Sequence, residues 1–252
     1  MTTTRIAARA VLLDIEGTTS TIAFVHDVLF PYADEHLDAY VAAHRAEPDV
    51  AQAMREAAAV AGEEPDADDA TILAHLHHWL RNDLKVTPLK TLQGLIWADG
   101  YEHTGLRGHV YPDAAAGLRR WHAAGLHLYV YSSGSIEAQK TLFAFSDQGD
   151  LLALFTGHFD TTTGPKREPS SYAAIVEAIG LAPNDVLFLS DVDAELDAAR
   201  AIGLQTVRML RPADTPPNAT TTHASAVSFD QLDVVLLSGV PPGSSATRRS
   251  RT

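Results

Sequence analysis

The stretch Val11-Leu12-Leu13-Asp14-Ile15-Glu16-Gly17-Thr18-Thr19-Ser20 decides how the rest of the chain is read. Its apolar start, preceded by Ala8 and Ala10, leaves no polar face, the composition of a parallel strand buried on both sides. The run then ends in two carboxylates two positions apart. In open α/β sheets ligands gather beyond the carboxyl ends of the strands, so Asp14 is expected to face a crevice. Gly17 permits a sharp turn, and the hydroxyls and amides of Thr18, Thr19 and Ser20 are expected to suit a phosphate. Taken alone, the decapeptide fits equally well a strand end whose Asp caps a turn. The rest of the chain must choose between the two.

Composition narrows the classes. The chain has 252 residues, 46% of them hydrophobic, enough for one large domain or one domain with an inserted lobe. It has no cysteine, which excludes disulfides, thiolate metal sites and cysteine nucleophiles. With 32 acidic against 19 basic residues the net charge is −13, which argues against nucleic acid as a partner. No apolar run reaches membrane-spanning length, and the one near the start is broken by Asp14 and Glu16, unlike a signal peptide. A cytoplasmic location with no membrane partner is expected. Any phosphate site on so acidic a chain requires a metal cation or a local lysine.

After Ser20 the pattern turns helical. Phe24, Val28 and Leu29 fit one stripe, Pro31 is placed to open a second helix, and Leu37, Tyr40 and Val41 continue it. Further helices are expected over 50–60, on the Ile72, Leu73, Leu76, Trp79 and Leu80 face with Asp68 or Asp69 as cap, and from Thr87-Pro88 through Ile96. Nothing over 21–105 reads as a strand, so that span is expected to be a helical insert, a cap. Within it, His75 and His78 share a face beside His77, but no neighbouring carboxylate completes a metal set, and a solvated or partly packed face is the expectation.

From Pro112 onward helices and strands alternate. Strands are expected over 126–131, 186–190 and 206–210 and a short strand or loop over 154–159, with helices over 112–124, 136–146, 170–179 and 194–202. Ser170 or Ser171 is the expected cap of the third of these. This alternation predicts an α/β fold with a doubly wound parallel sheet. The core is then discontinuous, 1–20 and 106–238, and the tail 239–252, rich in Pro, Gly, Ser and Arg, is expected to be disordered.

Three expected strands end in Asp14-x-Glu16, Ser132-Ser133-Gly134 and Asp191, and a loop supplies Lys166. Parallel strands bring all their carboxyl ends to one edge, so these groups can converge. Asp14 and Asp191 offer oxygen ligands suited to Mg²⁺, while Ser132, its neighbouring amides and Lys166 can hold phosphoryl oxygens. A carboxylate in line can attack phosphorus to give an acyl phosphate that water hydrolyses. Taken singly, Ser132 and Ser133 read as helix caps and Lys166 as a loop cation; in this order, each at a strand end, they read as a site.

This order of motifs resembles the haloacid dehalogenase superfamily, and a helical insert just after the first motif is similar to that superfamily's mobile cap. More narrowly, Leu13-Asp14-Ile15-Glu16-Gly17-Thr18-Thr19 with Phe24-Val25, Gln93-Gly94-Leu95-Ile96-Trp97 and Gly108-His109-Val110-Tyr111-Pro112-Asp113 resembles the enolase-phosphatases of methionine salvage. Glu16, where the superfamily usually has a second Asp, is the most specific mark. The resemblance implies Asp14 as nucleophile and Mg²⁺ ligand, Asp191 as a second ligand, and Glu16 as ligand and proton carrier. It implies Ser132 and Ser133 as phosphate-binding residues and Lys166 as the group that stabilises the phosphate charge, with one Mg²⁺ per chain.

The implied substrate is the small phosphorylated diketone 2,3-diketo-5-methylthiopentyl-1-phosphate, enolised and then dephosphorylated. A monomer is expected. Glu195, standing where Asp is commoner, is expected to orient rather than ligate, Asp193 to cap a helix, and Phe24 and Trp97 to meet the methylthio tail. The competing readings are a phosphatase of another small phosphoester, a dehalogenase with no need for Glu16 and Asp191, and a non-catalytic phosphometabolite-binding protein.

Overall fold

The computed structural model describes residues 3–64, 66–216 and 219–237. Strand β1 (Thr4–Ala8) leads through Arg9 into β2 (Ala10–Leu13), every residue of which is buried. The insert follows as α1 (Ile22–Phe24), a π-helical turn at Val25–Leu29, α2 (Phe30–His44), α3 (Pro48–Ala61), α4 (Asp69–Arg81), α5 (Thr87–Asp99) and a second π turn at Gly100–Thr104. The chain then runs α6 (Pro112–Ala123), β3 (His127–Tyr131), α7 (Ile136–Ala144), β4 (Gly157–Phe159), α8 (Pro169–Ile179), β5 (Val186–Ser190), α9 (Asp193–Ala201), β6 (Gln205–Met209), β7 (Ala224–Ala226) and β8 (Leu232–Leu236).

Six strands form one parallel sheet in the order β4-β3-β2-β5-β6-β7. The expected doubly wound α/β architecture is the one observed. The chain leaves the central β2, builds outward through β3 and β4, then crosses back to β5 on the other side. That reversal between β3 and β5 is a topological switch point, where such sheets open a crevice. Apolar clusters cover both faces, one containing Val11, Leu13 and Trp121, the other Leu12, Tyr172 and Phe188.

The sequence reading did not anticipate three short strands. β1 and β8 form a separate parallel pair, and β7 extends the main sheet by three residues. β8 reads Leu-Asp-Val-Val-Leu, too short and too close to the polar tail for its pattern to stand out. The tail expectation at 239–252 lies outside the described residues.

The insert has its own apolar cluster, with Leu37 and Val41, Met54, Leu76 and Leu92 supplied by four successive helices. Its helical stripes fall as expected except at the start. Val28, placed on the inner stripe by a 3.6-residue period, is 39% exposed. The π turn adds a residue there and rotates the stripe. The same widened turn leads straight into Pro31 at the first turn of α2, so the chain stays helical through the proline. No helix among the described residues is long and apolar enough to cross a membrane.

Candidate active site

Strand register brings the motif residues to one edge. Leu13 of β2 pairs with Val130 of β3 and Leu189 of β5, so Asp14, Tyr131 and Ser190 come level where the sheet ends. Glu16, Ser132 and Asp191 lie just beyond. Lys166 comes from the loop between β4 and α8, tied down by Tyr172, whose hydroxyl donates to the Lys166 carbonyl at 2.7 Å, and by Ser171, which donates to the Pro165 carbonyl at 2.8 Å. Ser171 is therefore a loop anchor rather than the cap of α8, which begins after Glu168 with Pro169 in its first turn.

Asp14 is buried, and both carboxylate oxygens are engaged. Oδ1 accepts from the Ile15 amide at 2.8 Å and from the Lys166 ammonium at 2.6 Å; Oδ2 accepts from the Ser190 hydroxyl at 3.1 Å. Lys166 also donates to Glu195 Oε2 at 2.8 Å, and Ser190 Oγ lies 3.1 Å from that oxygen. Lysine and serine thus each bridge Asp14 and Glu195. Sequence reasoning singled out Glu195 but missed Ser190, the lone polar residue of the buried β5, whose position next to Asp191 was the available signal.

Glu16 Oε2 accepts from Ser132 Oγ at 3.3 Å, and Ser132 Oγ accepts in turn from the Gly134 amide at 3.2 Å. Ser133 is exposed and makes no hydrogen bond among the described residues. Neither serine caps α7; that role falls to Ser135, which accepts from the Ala138 amide. Gly17 has φ +68°, and a Cβ there would run into the Asp191 carboxylate. Glycine is what lets the first turn close against Asp191.

Other expectations fail at this turn and beyond it. The amides of Thr18, Thr19 and Ser20 all converge on the Ile15 carbonyl, at 3.1, 2.9 and 2.9 Å, and the Thr19 hydroxyl turns back to the Asp14 carbonyl. The turn closes on itself, so these amides and the Thr19 hydroxyl do not face a phosphate, while the Thr18 hydroxyl is enclosed without a partner. Asp193 is not a cap; it lies in the first turn of α9 and accepts from Arg208 and Thr221. Phe24 is buried in the sheet-side cluster, and Trp97 donates its indole N–H to the Leu29 carbonyl at 2.8 Å, so the first is not presented to a ligand and the second locks the π turn.

Charge at the edge is unbalanced. One ammonium, Lys166, faces Asp14 and Glu195, while Glu16 and Asp191 have no cation partner among the described residues. Burial first, then the charge of Asp14, pushes both Asp191 and Glu195 up to about 7, and the same two causes raise Glu16. Lys166 moves upward although burial opposes it, because Asp14 and Glu195 flank it.

Among the described residues no three His, Asp or Glu side chains stand together as a ready-made metal cage. The donor set still fits Mg²⁺. Such an ion keeps several waters and binds through one or two carboxylates plus substrate phosphate, and uncompensated buried acids are the chemistry it answers. An arrangement of this kind can position a phosphoryl group, offer Asp14 to phosphorus and move a proton at Glu16.

Comparison with known proteins agrees with this chemistry. The haloacid dehalogenase-like hydrolase family matches residues 8–203. The chain is 56% identical over 203 residues to "Enolase-phosphatase E1" of Azotobacter vinelandii, covering 81% of this chain and 89% of that one. It is 53% identical over 226 residues to the protein of the same name from Sorangium cellulosum, covering 89% and 97%. Among solved structures, the UTR4 protein of Saccharomyces cerevisiae superposes with a TM-score of 0.75 at 34% identity, over 88% of this chain and 99% of that one. CbbY of Rhodobacter sphaeroides, at 16% identity and TM-score 0.55 over 90% and 97% of the two chains, shares the fold alone.

Proposed function

Because the chain belongs to the haloacid dehalogenase-like hydrolases, and within them to the enolase-phosphatases, we infer that its strand-edge acids carry out both halves of that reaction. The activity is the enolisation and dephosphorylation of 2,3-diketo-5-methylthiopentyl-1-phosphate in methionine salvage. The observation that carries the assignment of residues is the pairing of Asp14 with Lys166 at 2.6 Å beside a second, uncompensated acid pair, Glu16 and Asp191.

Asp14, Glu16 and Asp191 are the residues that would hold one Mg²⁺. When bound, the ion neutralises charge on the phosphoryl oxygens and on the acids around them. Ser132 and Ser133, at the end of β3, hold the substrate phosphate, and Lys166 stabilises its charge while anchoring the Asp14 carboxylate in place. Glu16 takes the proton released in enolisation; its raised proton affinity suits that task. Asp14 then attacks phosphorus, the ester oxygen leaves, and water cleaves the acyl phosphate. Glu195 acts through Lys166, holding the ammonium as a second carboxylate partner beside Asp14.

The helical insert over 21–105 serves as the cap that closes over the bound diketone and keeps water from the enol. The charge of −13 and the small, polar strand edge favour a small phosphorylated substrate over a macromolecule, and the soluble composition favours the cytoplasm. A monomer is the simplest state compatible with a site built from one chain.

The test is direct. Purified protein with Mg²⁺ should convert the diketo phosphate through an enol that absorbs in the ultraviolet, followed by inorganic phosphate. Phosphate release from a panel of sugar phosphates without any enol transient from the diketone would favour a phosphatase of other small esters. No turnover of the diketone with Mg²⁺ present would overturn the assignment.

A further inference from the structure

His109 plays no part in the roles above, yet the structure holds it with unusual care. Its Nδ1 lies 3.2 Å from the Thr21 amide and 3.3 Å from Ser20 Oγ. A backbone amide can only donate, so Nδ1 is the acceptor and the ring proton sits on Nε2. The ring lies between Phe24, at a centroid distance of 6.2 Å, and the edge of Tyr111, at 5.0 Å. The backbone on either side is fixed too: the Gly108 amide donates to the Phe145 carbonyl at 3.0 Å, the Val110 amide to Asp147 at 3.1 Å, and the Tyr111 amide to the Thr19 carbonyl at 2.9 Å.

All this restraint leaves one atom free. Nε2 has no hydrogen-bond partner among the described residues, and it is not among the enclosed unpartnered polar atoms, so it is an open N–H donor. Its address is informative. The backbones of Glu16 and Ser20 form a β-bridge, a separation of about 5 Å, so the residue that clasps the ring is bridged directly to the acid assigned to the C1 proton.

Of the other donors around this acid, the Thr18 hydroxyl is enclosed without a partner and the Ser133 hydroxyl is assigned to the phosphate, while the turn amides and the lysine are committed. The Thr18, Thr19 and Ser20 amides close on Ile15, and Lys166 is held between Asp14 and Glu195. A diketone undergoing enolisation puts negative charge on a carbonyl oxygen, and a preplaced donor for that oxygen is what the assigned residues lack.

We propose that His109 is a further catalytic residue, donating from Nε2–H to the C2 oxygen of the substrate during enolisation. The proposal rests on the enolase-phosphatase reading. In the step, Glu16 takes the proton from C1, the C1–H electron pair forms the C1=C2 bond, and the C2=O π pair moves onto oxygen, where the imidazole N–H meets it. The enolate oxygen then takes the proton held by Glu16, so the net change is transfer of one proton from carbon to oxygen. His109 keeps its own proton throughout.

Two substitutions separate donor from clasp. His109→Asn keeps an acceptor at the Nδ1 position but lacks the distal donor; His109→Gln reaches the Nε2 position with an amide N–H but loses the clasp to Thr21. Single-turnover enol formation from the diketo phosphate and hydrolysis of 4-nitrophenyl phosphate, which has no enolisation step, are measured for each with Mg²⁺. The ratio of the first rate to the second should fall about a hundredfold in His109→Asn and recover at least tenfold in His109→Gln. An unchanged ratio in His109→Asn overturns the proposal, as does a parallel fall of both rates in both variants, which would mark a purely structural clasp. If His109→Asn fails to fold, His109→Gln decides alone: enol formation slowed a hundredfold or more relative to hydrolysis counts against the donor. Failure of the unsubstituted protein to form any enol would instead refute the underlying function.

Discussion

Two clusters of acids stand in this molecule, and they are built in opposite ways. In the insert, Asp34 and Asp38 of α2 face α4, where His77 Nδ1 meets Asp34 at 2.5 Å, His77 Nε2 meets Asp38 at 2.8 Å, and Arg81 reaches Asp34 at 3.1 Å. Although burial pulls Asp34 upward, hydrogen bonds from His77 and Arg81 hold it below the usual carboxylate range, and the same contacts raise His77 against burial. At the strand edge, Lys166 pairs with Asp14 and Glu195 while Glu16 and Asp191 have no cation partner among the described residues, and three of the four acids are pushed up. Matched charge ties two helices together. Unmatched charge, enclosed by strand ends, is a standing demand for a ligand.

The sharpest way to break this contrast is to remove one acid from the strand edge. Asp14→Asn should lower turnover of the diketo phosphate by about 10⁴-fold or more, with little loss of melting temperature, since the substitution relieves repulsion on Asp191 and Glu195. A variant retaining a tenth of the activity would take Asp14 out of the chemistry. Lys166→Met should cost both activity and stability. It strands two buried carboxylates, and breaking such a pair costs about 3 kcal/mol or more, measurable as a lower urea midpoint in metal-free protein.

A third experiment probes the charge deficit itself. Asp191 and Glu195 near 7 bind protons in the folded protein that the unfolded chain, with ordinary carboxylates, has already released. Folded protein therefore holds more protons between about pH 4.5 and 7, and metal-free stability from these groups falls as pH rises through that window. Mg²⁺ should reverse the loss. At a hundredfold excess over its dissociation constant it adds about 2.7 kcal/mol, and the rise in melting temperature should be larger at pH 7.5 than at pH 5.5, where protons compete. Equal rises at both values would separate the titrating acids from the ion.

How much of this was legible in the sequence follows from the same contrast. Strand ends were readable because a buried parallel strand is apolar throughout, so Asp14 and Asp191 announce where the sheet stops. Convergence followed from parallel topology alone. What a linear reading lost were contacts between distant segments: Asp34 and Asp38 reaching His77, Glu63 reaching His75, and Thr21 reaching His109. No such acid neighbours the histidines in sequence; Asp34 and Asp38 lie on α2 and Glu63 in the loop after α3. The inward turn of Thr18 to Ser20 was equally hidden, because hydroxyl-rich turns that close on a carbonyl and turns that open to a phosphate have the same composition. Val28 was misplaced for a further reason, since a π turn shifts helical phase without any mark as plain as a proline or glycine.

The insert's cluster supplies the smallest effect and the cleanest control. His77→Gln removes a partly exposed cation from between two acids and should cost about 1 kcal/mol of stability near neutral pH, with the catalytic rate constant for the diketone unchanged. The pH slope carries the argument. A histidine raised by its partners contributes stability fully below its unfolded value near 6.5, and that contribution is lost as pH rises through the higher folded value. Unsubstituted protein should lose this increment above about pH 6.5, and His77→Gln should lack that part of the slope while keeping the Mg²⁺ dependence described above. If the substitution instead altered the Mg²⁺ response, the two clusters would be coupled through α2 and the first turn of the insert, and the helical bundle would be a participant in ion binding rather than a matched-charge scaffold above it.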